Sequence, residues 1–329
     1  MNGSLNLLHL SDLHICDKDT DYLQSIHGIA RYVCGGPALQ TEYSRLRKAI
    51  ESLARDTDWL IITGDITHTG RIADLGEAIG FMEGVEGDLS RENAGGKGSL
   101  ALIPGNHDRY RNKGPDPGNV GPFESRFGKY WDVGQGIQFR VLSEELRIQA
   151  GFVDFSLRKS DAVNLPKVQD WGRQRPSAGE LKRWLSLWGQ GCVYEDLLKQ
   201  LKDETAAHIA AGWKVIWVIH FAPFPRLLNK VGQWKLQLRN EERLVSSAKE
   251  LGVRHIFCGH THEQDHYSCN GVEVFCAGPS LRDSRLSKAC FLFVRLSVNE
   301  HGLKTLSCEE IARSTGGYSG GPLPKYIGA

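Results

Sequence analysis

The chain has 329 residues, 40% hydrophobic and 24% charged, an ordinary balance for a globular protein able to bury a sizeable core. Its 40 basic and 39 acidic residues leave a formal net charge of +1, so no global field draws it to nucleic acid or an anionic membrane, and any grip on phosphate must be local. No stretch reaches the roughly 18 uninterrupted apolar residues of a membrane span, and residues 1–10 lack the basic start and long apolar run of an export signal, so a cytoplasmic protein with no membrane partner is expected.

The first half alternates strand and helix. Leu5–Leu10 reads as a buried strand, and Tyr43–Ala54 has helical spacing through Leu46, Ala49, Ile50 and Leu53. Trp59–Thr63 is a second buried strand, Ile72–Val85 a helix, residues 87–98 a Gly-rich loop and Leu100–Ile103 a third strand. Residues 109–136 read as a long irregular excursion, 137–142 and 146–155 as two short strands, and 156–177 as another loop.

A helical block follows from about Ala178 to Ala211, broken near Gly189–Gly191. Its Trp184 and Trp188 share one face with Leu181 and Leu185, a core stripe rather than a ligand platform. Lys214–His220 is strongly strand-like, 241–251 helical and Arg254–Cys258 a strand again. The end turns antiparallel, with strands at 264–269 and 272–276 about the turn signal Asn270-Gly271, then 289–298 and 303–308. The reading is one α/β domain over residues 1–312, with sheets flanked by helices, and a loosely held Gly/Pro-rich tail at 313–329. Eight cysteines, none in a Cys-x-x-Cys pair, read as small core hydrophobes rather than disulfides or a thiolate zinc site.

Polar residues recur where these strands stop. The first ends in Ser11-Asp12-Leu13-His14, the second in Gly64-Asp65-Ile66-Thr67, and the third in Pro104-Gly105-Asn106-His107-Asp108. The Val215–Ile219 run ends in His220, and the Arg254–Cys258 run in Gly259-His260-Thr261-His262. C-terminal strand ends are where open α/β sheets place their sites. Carboxylates, imidazoles and one amide oxygen form a mixed N/O set, suited to borderline first-row metals rather than to calcium or magnesium alone. In extended chain Asp12 and His14 would share a face, as would His260 and His262. Glycine before Asp65, Asn106 and His260 would let the backbone turn tightly and approach the metals. Each motif alone is weak; five in this order, each after a strand, are strong.

The series D-x-H, G-D, G-N-H-D, H and G-H-x-H resembles the calcineurin-like metallophosphoesterase superfamily over roughly residues 5–282. The resemblance implies a four-layer αββα sandwich with mixed central sheets. It implies two divalent or trivalent ions (manganese, iron or zinc), one held by Asp12, His14, Asp65 and His262 and the other by Asp65, Asn106, His220 and His260. Asp65 would bridge them, a hydroxide between the ions would attack phosphorus, and His107 would stand at the leaving group with Asp108 orienting it. Gly64-Asp65-Ile66-Thr67-His68-Thr69-Gly70, Leu238-Arg239-Asn240 and Ala277-Gly278-Pro279-Ser280 resemble the branch containing class III cyclic nucleotide phosphodiesterases. That branch often has a second histidine where this chain has Phe221.

The expected function is hydrolysis of a small phosphodiester, with a cyclic nucleotide favoured. A nuclease or phosphomonoesterase with the same centre, or a binding module that keeps the fold without catalysis, are the alternatives, and homo-oligomerisation is left open. Asn106, His107 and Arg109 are candidate substrate contacts, although a surface ion pair is an equal use for Arg109. His68 stands equally between pocket rim and plain loop, His9 reads as a hydrogen-bonded core histidine, His266 as a strand-surface residue and Cys258 as core. The basic segment 226–239, with Trp234, could stack a base but reads slightly better as a solvated loop or oligomer contact.

Overall fold

The computed structural model describes residues 3–16, 37–68, 70–92, 99–109, 120–162, 179, 189–225, 238–281, 289–300, 302–314 and 317–322. Sheet one joins β1 (Ser4–Leu10), β2 (Trp59–Thr63), β3 (Ser99–Ile103), β12 (Cys290–Asn299), β13 (Gly302–Ser314) and β14 (Gly317–Pro322), in the order β14-β13-β12-β1-β2-β3. Sheet two joins β4 (Ile137–Ser143), β5 (Ile148–Val153), β7 (Lys214–Phe221), β9 (His255–Gly259), β10 (Asp265–Cys269) and β11 (Val272–Cys276), in the order β10-β11-β9-β7-β5-β4. Both are mixed: β1, β2 and β3 run parallel beside antiparallel β12, and β5, β7, β9 and β11 run parallel between antiparallel edges. Two short parallel strands, β6 (Gly191–Cys192) and β8 (Leu238–Arg239), form a separate ladder.

The period-2 alternation of β7 shows how the layers form. Val215, Trp217 and Ile219 face outward, into a core with Leu197, Leu198 and Leu201 of α4 (Glu195–Ala210) and Leu244, Val245 and Ala248 of α5 (Glu241–Leu251). Ile216 and Val218 face inward, into a core shared with sheet one, and His220 continues that inner series beyond them. On the far side of sheet one lie α1 (Pro37–Leu53) and α2 (Ile72–Glu92), which bury Leu46, Ile50, Leu75, Met82 and Val85. The result is the αββα layering expected from the sequence, with the Asp, His and Asn motifs at strand ends of both sheets.

Four elements differ from the sequence reading. Helix α2 runs through 87–92, expected as loop, because Val85 and Leu89 continue its buried stripe and Asp88 pairs with Arg47 of α1 (2.7 Å) and with Arg91. Within 109–136 a short helix, α3 (Pro122–Phe127), buries Phe123 and Phe127 and is tied at its start by Glu124 Oε2 accepting from Gly121 N (2.6 Å). Strand β13 extends to Ser314, and residues 317–322, expected in the tail, pair with it as edge strand β14. His266 is not on the surface: it is buried, stacks on Phe275 (ring centroids 4.4 Å) and lies 3.3 Å from Glu273 Oε2. The turn at Asn270-Gly271 is as expected, with both residues left-handed (φ 51° and 84°). The tryptophan pair 184/188, and most of the segments 156–177 and 226–239, lie outside the described residues. Among the described residues no helix is long and apolar enough to cross a membrane.

Candidate metal centre

Every expected metal ligand lies in one cluster at the strand ends. Donor atoms of Asp12, His14, Asp65 and His262 all lie within 4.8 Å of one another, and so do those of Asp65, His220 and His260. Asp65 belongs to both sets. Asn106 joins the second through Oδ1, 3.0 Å from His220 Nε2.

The side chains converge by a route other than the extended chain expected from the sequence. Asp12, His14, Asp65, His260 and His262 all have left-handed backbones (φ 51°, 47°, 50°, 72° and 53°), five of the nine non-glycine residues so placed among those described. Left-handed backbone costs a residue with a Cβ on the order of 1 kcal/mol, so the surroundings must hold it. They do so by main-chain bonds: Asp12 N donates to Gly64 O (3.1 Å), His14 N to Asp65 O (2.9 Å) and Ile15 N to Ile66 O (2.8 Å). The glycines serve two purposes. Gly64 is itself left-handed (φ 92°), whereas a Cβ on Gly105 or Gly259 would overlap Asp65 or Ser11.

Each imidazole of the second set is aimed by a carbonyl. A carbonyl can only accept, so His220 donates through Nδ1 to Thr63 O (2.6 Å) and His260 through Nε2 to Gly189 O (2.7 Å). His220 Nε2 and His260 Nδ1 then face each other at 3.1 Å, beside Asn106 Oδ1 and with Asp65 Oδ2 3.4 Å from His220 Nε2. Lone pairs so gathered repel unless a cation or proton lies among them. Burial pulls the His220 pKa down, but Asp65 and Asp12 outweigh it and raise it to about 9. Burial and the neighbouring His220 charge push His260 down to about 3. In the first set, His14 Nε2 and His262 Nε2 are 3.1 Å apart, and buried Asp12 Oδ1, which accepts no hydrogen bond from the described residues, is 3.3 Å from His262 Nε2. Burial alone would raise both carboxylates, yet His262 holds Asp12, and His220 with His107 hold Asp65, well below the usual carboxylate range. Carboxylate, imidazole and amide donors gathered within 4.8 Å in two sets that share Asp65 fit a pair of cations.

A family model described as calcineurin-like phosphoesterase matches residues 5–264, all but the last strands of the sandwich. The chain belongs to the calcineurin-like phosphoesterase family. Among solved structures, a dimetal phosphatase from Danio rerio shares the fold at 13% identity over 97% of this chain and 99% of that one, with a TM-score of 0.56. GAP50, the anchor in the inner membrane complex of Plasmodium, does so at 12% identity over 97% and 88% of the two chains, with a TM-score of 0.51. A putative 5'-nucleotidase from Staphylococcus aureus matches at 13% identity over 94% of this chain but 54% of its own, with a TM-score of 0.50. Identities this low show likeness of fold alone. Among curated proteins none matches the sequence significantly. A calcineurin-like phosphoesterase is a metal-dependent hydrolase, and the two donor sets sharing Asp65 are where its ions would sit.

Two roles expected beside the calcineurin-like ligands are corrected. Asp108 does not orient His107. Its Oδ2 accepts from Gly105 N (2.9 Å) and Ile66 N (3.1 Å), and its Oδ1 from Thr67 N (2.7 Å) and Thr67 Oγ1 (2.8 Å), so it clamps the loop of Asp65 to the loop of Asn106. His107 is instead oriented by the carbonyl of His68, which accepts from its Nδ1 at 2.7 Å. Burial and nearby Asp65 raise the Asp108 pKa to about 6 against these four hydrogen bonds.

Arg109 is neither a phosphate contact nor a surface ion pair. It is buried, with Nη2 2.8 Å from Asp154 Oδ2 and Nη1 2.6 Å from Glu124 Oε1, and so pins α3 to the end of β5. Arg109→Ala is therefore expected to lower stability by about 3–5 kcal/mol, because it strands a buried carboxylate, and to leave the count of bound metal ions unchanged. Urea unfolding and metal analysis of the variant check both; a stable variant with weakened phosphate affinity would restore the substrate role.

His9 is the expected core histidine, with Nε2 3.0 Å from Thr63 Oγ1, and Cys258 is buried on the outer face of β9. Phe221 stacks edge-on against His260 (4.7 Å) and fills the space over Gly191, where a Cβ would lie 2.5 Å from the ring. The carbonyls of Thr63, His68 and Gly189 are functional groups that residue-type reasoning does not reach. Only the Gly189–Gly191 break hinted that backbone comes close to something there.

Proposed function

We propose that this phosphoesterase hydrolyses a small phosphodiester, with a cyclic nucleotide as the favoured substrate. The observation that carries the reading is the pair of donor sets joined at Asp65, with His107 Nε2 4.0 Å from Asp65 Oδ2 at their edge. Bound ions of manganese, iron or zinc would supply Lewis acidity to the phosphoryl oxygens and an acidified water to attack phosphorus. The chain's own residues do the rest. Thr63 and Gly189 hold the imidazoles His220 and His260 in the ligating tautomer, and Asp108 fixes the spacing of the Asp65 and Asn106 loops. Asn106 turns Oδ1 to the second set, and its amide nitrogen would donate to a phosphoryl oxygen. His107, with Nδ1 given to His68 O, presents Nε2 to the leaving oxygen and would carry the proton delivered there.

A diester is favoured over a dianionic monoester because Arg109, the guanidinium nearest the Asn106-His107-Asp108 motif in sequence, is buried against Asp154 and Glu124. The cyclic nucleotide is favoured by the likeness of residues 64–70, 238–240 and 277–280 to the class III phosphodiesterase branch. Metal analysis joined to a hydrolysis panel tests the reading. Two ions per chain, and the highest kcat/KM on a cyclic mononucleotide among cyclic dinucleotides, single-stranded nucleic acid and phosphomonoesters, are expected. A faster monoester or nucleic acid would overturn the substrate; a chain that binds no metal and hydrolyses no activated diester would be a binding module.

A further inference from the structure

Among the described residues, His68 is the one imidazole in this cluster to which the calcineurin-like pattern gives no role. It follows Thr67, whose N–H and hydroxyl are both held by Asp108, and its own N–H donates to Ile15 O (2.9 Å), so the backbone leading into it is held in place. Its ring is buried to 8% exposure, with centroid 5.6 Å from His107 and 5.5 Å from His14. Ring nitrogens of His14, His68 and His107 lie within 4.8 Å of one another. No carboxylate belongs to this trio, unlike either metal set. His14 already faces Asp12 and His262, and His107 Nδ1 is given to a carbonyl, so a third cation would find few donors and two repelling neighbours. With both metal sets loaded, the occupant that electrostatics favours beside them is an anion.

We propose that His68 is a substrate-binding residue, its imidazole N–H donating to an oxygen of the phosphoryl group beside the metal pair. This rests on the proposed phosphoesterase centre. A neutral imidazole has one N–H to donate, so the role needs no change of protonation. It also gives His68 two separable tasks: the carbonyl positions His107, and the side chain contacts substrate. Substitution removes only the second.

The test uses the zinc-loaded chain, which is diamagnetic, with 15N-labelled histidine and inorganic phosphate as the probe. The His68 imidazole resonance of the unaltered protein is expected to move as phosphate is added. Phosphate affinity by calorimetry should fall about tenfold in His68→Ala, the worth of one hydrogen bond to a charged group, and less in His68→Gln, which keeps a donor. Both variants should keep two zinc ions. A stationary resonance, or an affinity in His68→Ala within twofold of the parent, overturns the assignment, and a zinc count reduced to one would make His68 a metal ligand instead. If His68→Ala does not fold, the titration of the unaltered chain decides alone. Failure of the parent chain to bind two zinc ions would instead sink the centre itself, whatever His68 does.

Discussion

Asp65→Ala is expected to end two-ion loading and to lower kcat/KM by about 10³-fold or more, since several kcal/mol of transition-state charge stabilisation goes with the ion pair. The reason is topological. Among the described residues Asp65 alone belongs to both donor sets, so its loss takes a carboxylate from each, leaving Asp12, His14 and His262 on one side and Asn106, His220 and His260 on the other. The second set then has no anionic ligand, and the neutral donors of Asn106, His220 and His260 are left to hold a cation without a charge to offset its own. Asp65 also accepts from His107 N (2.8 Å), so its truncation leaves a buried N–H without its acceptor. Asp65→Asn separates these effects: it keeps an acceptor for His107 N and the side-chain shape, and loses the charge. Equilibrium dialysis followed by elemental analysis should find at most one ion in both variants, with the folded content of Asp65→Asn close to the parent. Two ions retained in Asp65→Asn and Asp65→Ala alike would remove the bridging role.

Why the ligands were legible and their geometry was not follows from what each depends on. Asp12, Asp65, Asn106, His220 and His260 each close a buried apolar run, and side-chain chemistry at strand ends is a property of the sequence. Strands Trp59–Thr63 and helix Glu241–Leu251 likewise declare themselves by local pattern. The left-handed backbones of Asp12, His14, Asp65, His260 and His262 do not, because no residue type there demands them; they are imposed by neighbours from other strands, such as His260 N donating to Asp12 Oδ2 at 2.9 Å across 248 residues. The fate of Arg109 was hidden for the same reason. Its partners Asp154 and Glu124 lie 45 and 15 residues away, and nothing local distinguishes a buried guanidinium from an exposed one. Strand β14 was missed because Gly317, Gly320 and Gly321 carry weak strand propensity; pairing with β13, not side-chain preference, makes it a strand.

His107→Ala should separate substrates by their leaving groups. With a poor alkoxide leaving group, kcat is expected to fall about 10²–10⁴-fold, the usual worth of general acid catalysis; with an activated aryl phosphodiester, whose phenolate leaves without a proton, the loss should be under about tenfold. The geometry gives the reason. His107 N donates to Asp65 Oδ1 (2.8 Å) and Nδ1 to His68 O (2.7 Å), which leaves Nε2 directed to the edge of the centre, 4.0 Å from Asp65 Oδ2. Burial pulls the His107 pKa down while Asp65 pulls it up, and the net shift is downward. In the free chain above its lowered pKa the imidazole is thus neutral, with its proton on Nδ1, and the proton for the leaving oxygen has to be gained at Nε2 on the same side. His107→Gln is the sharper variant, because it keeps a hydrogen-bond donor within reach of a phosphoryl oxygen yet has no proton to transfer. It should therefore bind inorganic phosphate nearly as the parent does while retaining the leaving-group dependence of His107→Ala. Both variants should keep two metal ions, since His107 belongs to neither donor set. If alkyl and aryl diesters slow equally in both, with the ions in place, then His107 contacts the phosphoryl group and the leaving oxygen takes its proton from elsewhere.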